Sequence, residues 1–177
     1  KVHDESIIDK VAESTKRRRA IIRKIDEKSR GYIEDLIHSS LNPNYIDENT
    51  YIKELSKVIM MLAHEGNCII VGRGSNFITP ISRGLHVNVV APYDLRVQRA
   101  IKYEDYTTSK AKKVIAHHEK ERKDFVKKYF RQDLDSRNAY DITINTTYYS
   151  IEEAAEVLEA AFIKKFPTWQ RIKAGLF

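Results

Sequence analysis

Cysteine, proline and glycine are scarce in this sequence of 177 residues. It contains one Cys, four Pro and six Gly, whereas charged residues make up 32% and hydrophobic residues 42%. A single thiol excludes a disulfide framework and any zinc site built from several cysteines. So few chain-breaking residues argue against a low-complexity or disordered protein. The composition indicates a globular, helix-rich chain with one domain-sized core.

Long apolar runs are also missing. No uninterrupted apolar stretch reaches the roughly 18 residues of a membrane span, and no secretory signal is visible at the start. Cys68 lies inside a short apolar run, where a thiol acts as a small buried hydrophobe. We therefore expect a protein of the reducing cytoplasm that does not associate with membranes.

The charges are unbalanced, with 31 Lys and Arg against 25 Asp and Glu and a formal net charge of +6. This excess favours an anionic partner such as a nucleotide, although an ordinary solvated helix surface explains most of it equally well. Nucleic-acid binding through Lys16–Arg19 is the less favoured alternative, because no nucleic-acid recognition motif accompanies that basic run.

Hydrophobic periodicity predicts helices separated by short strands. Helices are expected from Asp4 to about Lys28, at Tyr32–Leu41, in "YIKELSKVIMMLAHEG", at Tyr93–Tyr103, at Ser109–Phe130 and after the Ser150–Glu153 capping box. Strands are expected at "NCIIV", "LHVNVVAP" and "DITIN", the first of them buried on both faces. The order of these elements indicates an α/β fold with a small, mostly parallel sheet.

The turn that follows the first predicted strand carries the clearest chemistry. In "NCIIVGRGSN" the strand stops at Gly72 and turns through Arg73, Gly74 and Ser75, at the strand end where open α/β sheets bind ligands. Glycine permits positive φ and a close approach of the backbone to a ligand, and a guanidinium fork suits phosphate. A tight strand-to-helix turn with a solvent-exposed arginine is the alternative explanation.

Four segments, in this order, resemble the cytidylate kinase-like family of P-loop kinases: "IIVGRGSNFI", "LHVNVVAP", "HEKERKDFVKKYF" and "YDITINTTYYSIEEA". The resemblance implies a helix-rich, three-layer P-loop kinase-like fold with a small, mostly parallel sheet and a helical lid. It implies one domain over residues 1–177, with a helical acceptor-side region at 1–65, a sheet core at 66–165 and the lid at about 108–131.

The activity that this resemblance implies is ATP-dependent phosphoryl transfer to a nucleoside monophosphate or a similar small acceptor. Mg²⁺ would arrive with the nucleotide rather than in a protein cage. Because Gly74 stands where cytidylate kinase has an acid, the resemblance does not imply recognition of a cytosine nucleotide, and a different small hydroxyl or phosphate compound is an open alternative. A catalytically inactive kinase-fold protein, which binds nucleotide or acts as an adaptor, is the alternative.

The resemblance also implies roles for particular residues, and each role has a plainer alternative. The acceptor would be bound by residues of the turn and of the helix after the second predicted strand: Gly72, Arg73, Gly74, Ser75, Arg96 and Arg99. The lid would provide the catalytic cations Arg122, Lys123 and Lys127. The alternative is that this segment is a solvated helix that carries many ion pairs. Asn145 and Thr146 would contact the cofactor, or merely terminate a strand.

The glycine-rich phosphate loop of this family does not occur here, since no G-x-x-x-x-G-K-[ST] is present in the sequence. The chain begins at Lys1 rather than Met, and we expect the first strand, the loop and part of the first helix to precede it. The long helical front and the apolar end at Phe177 suggest a homodimer. His117 and His118 lack further ligands at metal-binding spacing, so no structural metal is expected.

Overall fold

The structure, a computed structural model, describes residues 1–14 and 48–169. Its helices and strands follow in chain order: β1 (Val2–His3), α1 (Ser6–Ser14), α2 (Glu48–Glu65), β2 (Ile69–Ile70), α3 (Ser75–Ile78), β3 (Val87–Val90), α4 (Tyr93–Glu104), α5 (Thr108–Phe130), β4 (Ile142–Asn145) and α6 (Ile151–Lys165). The predicted helix at Tyr32–Leu41, and the first predicted helix beyond residue 14, lie outside the described residues. The predicted helix-rich α/β class is confirmed.

The chain divides into two compact units. Unit 1 comprises Lys1–Gly84 and His117–Ser136, and unit 2 comprises Leu85–Ala116 and Arg137–Phe177. Over the described residues, each unit contains one two-stranded sheet, and both sheets are parallel, as predicted. None of the helices within residues 1–14 and 48–169 is both long and apolar enough to cross a membrane.

The core of unit 1 is formed by α1 packed against α2. Both helices carry apolar side chains at helical spacing, so each presents one apolar stripe that the other covers. Ile7, Val11 and Ile59 are fully buried. The helix α2 ends where Gly66 adopts a left-handed φ of 69°, which a glycine accepts without steric cost. The complete buried cluster is Ile7, Ile8, Val11, Ala12, Tyr51, Leu55, Val58, Ile59 and Leu62.

The sheet of unit 1 pairs β1 with β2, in the register Val2 with Ile69 and His3 with Ile70. The strand β1 was missed in the sequence, because two residues carry no periodic signal. The prediction that the "NCIIV" strand is buried on both faces is wrong: Ile70 packs against the core, but Ile69 and Val71 are 64% and 50% exposed. Within the described residues, only the face that meets α1 and α2 is covered.

Unit 2 is built on the parallel pair β3 and β4, in the register Val87 with Ile142 through Val90 with Asn145. Its buried apolar side chains are few among the described residues: Val97 in α4, Ala111 in α5 and Ile144 in β4. The helix α6 begins with the predicted capping box, because the Ser150 hydroxyl accepts from the Glu153 N–H at 3.1 Å and the Glu153 carboxylate accepts from the Ser150 N–H at 2.8 Å. The latter bond lowers the pKa of Glu153.

A polar cluster joins the starts of β3 and β4 to the last turn of α6. The Asp141 carboxylate accepts from the backbone N–H of His86 at 2.7 Å and from Lys165 Nζ at 2.6 Å. Burial by itself would raise the pKa of Asp141, but the hydrogen bonds from Lys165 and His86 outweigh it and lower that pKa. His86 is only 8% exposed, and its desolvation lowers its pKa. The sequence patterns gave no sign of this cluster.

Candidate functional site

The turn at residues 72–75 adopts an unusual backbone conformation. Three consecutive residues have positive φ: Gly72 at 75°, Arg73 at 56° and Gly74 at 63°. For the arginine this conformation costs about 1–2 kcal/mol, because its Cβ crowds the following carbonyl oxygen. The turn is closed by hydrogen bonds from the Ser75 N–H to the Gly72 carbonyl at 3.1 Å and from the Phe77 N–H to the Gly74 carbonyl at 2.8 Å.

The two glycines of the turn have different surroundings. A Cβ atom added at Gly72 would meet nothing within 4 Å, so its backbone is open to the approach of a ligand. A Cβ atom added at Gly74 would lie 2.3 Å from Cε2 of Phe130, inside any acceptable contact distance. A side chain at position 74 would therefore require the Phe130 ring to move and would add strain from the positive φ.

Phe130 belongs to an aromatic cluster at the C-terminal end of α5. Its ring stacks with Phe77 of α3 at a centroid distance of 5.9 Å and meets the ring of Phe125 edge-on at 5.9 Å. Phe125 in turn contacts Tyr129 edge-on at 4.9 Å. Such pairs add about 0.5–1.5 kcal/mol each beyond the burial of their area. The end of α5 is thus packed onto the turn that contains Arg73.

The part of α5 in unit 1 carries exposed cations. Arg122, Lys123 and Lys127 are all exposed. Lys123 Nζ lies 2.9 Å from the Asp135 carboxylate and 3.6 Å from that of Glu119. The hydrogen bond with Asp135 raises the pKa of Lys123. The helix therefore presents a positive surface within the unit that contains the turn.

Two histidines on α5 pair with a glutamate on the same helix. His117 Nε2 and His118 Nδ1 lie 3.1 Å and 3.4 Å from the two oxygens of Glu121. These groups do not converge on one point. No set of three or more His, Cys, Asp or Glu side chains within residues 1–14 and 48–169 has an arrangement that could hold a metal ion.

The ends of the strands in unit 2 are held by two arginines of α4. Arg99 binds Thr146 through both nitrogens of its fork: Nη1 donates to the threonine hydroxyl and Nη2 to its carbonyl, each at 2.7 Å. Thr146 is 8% exposed, and its N–H donates to the Val90 carbonyl at 2.9 Å. Arg96 Nε donates to the carbonyl of Ala91 at 3.1 Å. These arginines therefore fix the carboxyl ends of β3 and β4.

The other predicted cofactor residue, Asn145, also makes a local contact. Its side-chain oxygen accepts from the Thr147 N–H at 3.1 Å and from the Thr147 hydroxyl at 2.6 Å, a turn that Asn often forms at the end of a strand. The predicted site residues thus lie in two groups. Unit 1 holds Gly72, Arg73, Gly74, Ser75, Arg122, Lys123 and Lys127; unit 2 holds Arg96, Arg99, Asn145 and Thr146.

The sequence did not indicate that Phe130, at the end of α5, contacts the turn. Phe130 is the last residue of the "HEKERKDFVKKYF" segment, in which the charged residues drew attention. Its proximity to Gly74 depends on a contact over more than fifty positions of sequence, which periodicity does not predict.

Comparison with known proteins supports one family. The profile of the cytidylate kinase-like family matches residues 1–148. A curated cytidylate kinase from Staphylothermus marinus is 27% identical over 121 residues, which cover 68% of this chain and 63% of that protein, so the chain spans less than two thirds of this relative. The fold is similar to that of an uncharacterized protein from Eubacterium ventriosum, with a TM-score of 0.59, 17% identity and coverage of 89% and 90% of the two chains. The chain belongs to the cytidylate kinase-like family.

Proposed function

We propose that this protein transfers a phosphoryl group from ATP to a nucleoside monophosphate or a similar small acceptor. The observation that carries the proposal is the packing of the strained Arg73 turn against the end of the cationic helix α5, in a chain of the cytidylate kinase-like family. The name of the Staphylothermus relative supports the class of acceptor.

In this proposal the turn binds the acceptor. The guanidinium of Arg73 would form paired, charge-assisted hydrogen bonds with an acceptor phosphate, and the Ser75 hydroxyl would add a further donor. The open backbone at Gly72 leaves room for that phosphate. A strained residue at such a position fits this role, because backbone strain is concentrated where a structure holds ligands.

The cations of α5 would stabilise the charge that develops on the transferring group. Phosphoryl transfer requires little covalent chemistry from the protein, so positioning and electrostatic stabilisation provide most of its catalysis. Arg122 and Lys127 are exposed, and Lys123 is paired with Asp135, whose hydrogen bond raises the pKa of Lys123. On α5, Lys127 lies about 4.5 Å and Lys123 about 10 Å along the axis from Phe130, at 1.5 Å per residue.

ATP and Mg²⁺ are included in this proposal because the chain belongs to a kinase-like family. When bound, Mg²⁺ neutralises phosphate charge. The described residues fit the anionic phosphates but offer no cluster of ligands for the ion, and none of the steps proposed here depends on it. Asn145 and Thr146 remain the proposed contacts of the nucleotide; the carboxyl end of β4, where they lie, is held by Arg99.

A coupled ADP-release assay tests the proposal, with the protein expressed from its complete gene and a panel of nucleoside monophosphates as acceptors. Turnover is expected with at least one acceptor. Arg122→Gln and Lys127→Gln should each lower kcat about tenfold or more, because a cation that stabilises the transition state is lost. Lys120→Gln, on the same helix and also exposed, is the matched control and should stay within about twofold of the unchanged protein.

The alternative is a kinase-fold protein that binds nucleotide without catalysis or acts as an adaptor. The same assay distinguishes this alternative from the proposed phosphoryl transfer. The alternative predicts nucleotide binding with no ADP release for any acceptor. Absence of turnover across the whole panel would overturn the proposed phosphoryl transfer.

A further inference from the structure

Gly74 and Phe130 form a contact that links the Arg73 turn to the helix α5. The nearest ring atoms to an added Cβ at position 74 are Cε2 at 2.3 Å, Cδ2 at 3.0 Å and Cζ at 3.1 Å, all of Phe130. The ring therefore fills the space that a side chain at position 74 would take. No such contact exists at Gly72, where an added Cβ meets nothing within 4 Å.

The ring of Phe130 is itself fixed from two sides. Phe77 stacks on it with an interplanar angle of 23°, and Phe125 meets it at 65°. Phe77 is also tied to the turn, since its N–H donates to the Gly74 carbonyl at 2.8 Å. Gly74 is thus held between a hydrogen bond from α3 and an aromatic ring from α5, directly after the strained Arg73.

We propose that Phe130 is a positioning residue for Arg73. A non-glycine residue keeps a left-handed conformation only where its surroundings over-determine it, and the Phe130 ring on Gly74 supplies that constraint. The ring thereby fixes the direction in which the Arg73 guanidinium meets an anion. The inference rests on the proposed function in one respect: the anion is taken to be the phosphate of the acceptor.

This arrangement predicts which kinetic constant changes when the Phe130 ring is removed. The residue acts through Arg73 and does not touch the transferring group, so its loss should weaken acceptor binding and leave the chemical step intact. Phe130→Ala is expected to raise KM for the acceptor about tenfold, since small misplacements of a binding group have effects of this size or larger. The KM for ATP and kcat should change less than about twofold.

The matched control is Val126→Ala. Val126 lies on the same helix in the same unit and is 2% exposed, so its truncation also removes buried packing from α5. Both variants are assayed at a temperature at which circular dichroism shows them folded. Val126→Ala should leave the acceptor KM unchanged; an equal rise in KM for both variants would reduce Phe130 to ordinary packing and overturn the inference.

A thermal unfolding cycle tests the contact independently of any activity. Gly72→Ala and Gly74→Ala both place an alanine at a positive φ, but only the second introduces a clash with Phe130. Gly74→Ala should therefore lower the unfolding midpoint further than Gly72→Ala, and that difference should vanish in a Phe130→Ala background. Equal losses for the two glycines, or a difference that persists without the ring, would contradict the contact on which the inference depends.

Arg73→Ala separates failure of this inference from failure of the proposed function. If Arg73→Ala raises the acceptor KM and Phe130→Ala does not, only the positioning role is overturned. If neither variant changes it, the assignment of Arg73 to the acceptor is wrong, and the inference falls with it. If both variants raise KM and Val126→Ala does not, the positioning role is supported.

Discussion

The two units of the molecule are stabilised in different ways. Among the described residues of unit 1, α1 and α2 bury a continuous apolar cluster of nine residues. Unit 2 buries Val97, Ala111 and Ile144 among its described residues, and its strands are tied to their neighbours by charged hydrogen bonds. Apolar burial scarcely depends on pH, whereas a bond to a carboxylate does. Because unit 2 relies on such a bond at Asp141, we expect its stability to depend more on pH than the stability of unit 1.

The largest effect is expected in the core of unit 1. Ile59→Ala should lower the free energy of unfolding by about 2–5 kcal/mol, because the side chain is fully buried and its removal leaves a cavity. Denaturant unfolding measures this loss. Met60→Ala, at a neighbouring position that is 44% exposed, is the control and should cost less than about 0.5 kcal/mol. Similar costs at both positions would contradict an apolar core in unit 1.

A smaller effect is expected at the strand ends of unit 2. Arg99→Ala should lower the free energy of unfolding by about 1.5–3 kcal/mol, because two charged hydrogen bonds to the buried Thr146 are lost. Arg99→Lys should recover only part of the lost free energy of unfolding, since an ammonium group cannot reproduce the paired hydrogen bonds of the guanidinium. Gln98→Ala, an exposed neighbour, should be close to neutral. Full recovery by lysine would show that charge alone matters here.

Near neutral pH, the change of stability with pH is expected to be smaller than the two mutational effects above. It should arise mainly in unit 2. Asp141 and His86 both have a lowered pKa in the folded state, so the unfolded chain binds protons more readily and stability falls as the pH falls. The loss should begin below about pH 6.5, the ordinary pKa of His, and steepen below about pH 4, that of Asp.

Asp141→Asn isolates the carboxylate in this profile. At pH 7 it should cost about 1–3 kcal/mol, because Lys165 loses its charged partner, and it should flatten the acid limb of the profile below about pH 4. Thermal unfolding between pH 3 and 8 measures both effects. An acid limb as steep in Asp141→Asn as in the unchanged protein would place the titrating groups elsewhere.

The sequence predicted those features that arise from local pattern. Periodicity placed α2, α4, α5 and α6 within a few residues of their observed bounds, and the Ser150–Glu153 capping box formed as expected. The features that it missed depend on distant contacts. His86 meets Asp141 across 55 positions, and neither residue belongs to a recognisable motif.

The candidate site likewise combines features that local sequence predicts with features that depend on distant contacts. The Gly72–Gly74 turn stood out because two glycines flank an arginine after an apolar run, and the structure adds that the second glycine faces the Phe130 ring. Arg99 and Thr146 were predicted as ligand contacts from the resemblance to a family, and the structure shows them bonded to each other. The hydrogen bonds between Arg99 and Thr146 join positions 47 apart in the chain, a contact that local sequence patterns do not predict.

Equilibrium binding of a nucleoside monophosphate, measured by isothermal titration for the unchanged protein and for Arg73→Ala, tests the central claim most directly. The turn is proposed as the site of the acceptor phosphate, so loss of the guanidinium should weaken binding about tenfold or more. Arg83→Ala, which removes an exposed arginine of the same unit, should leave the affinity unchanged. Equal affinities of the unchanged protein and Arg73→Ala would contradict the proposed role of the turn.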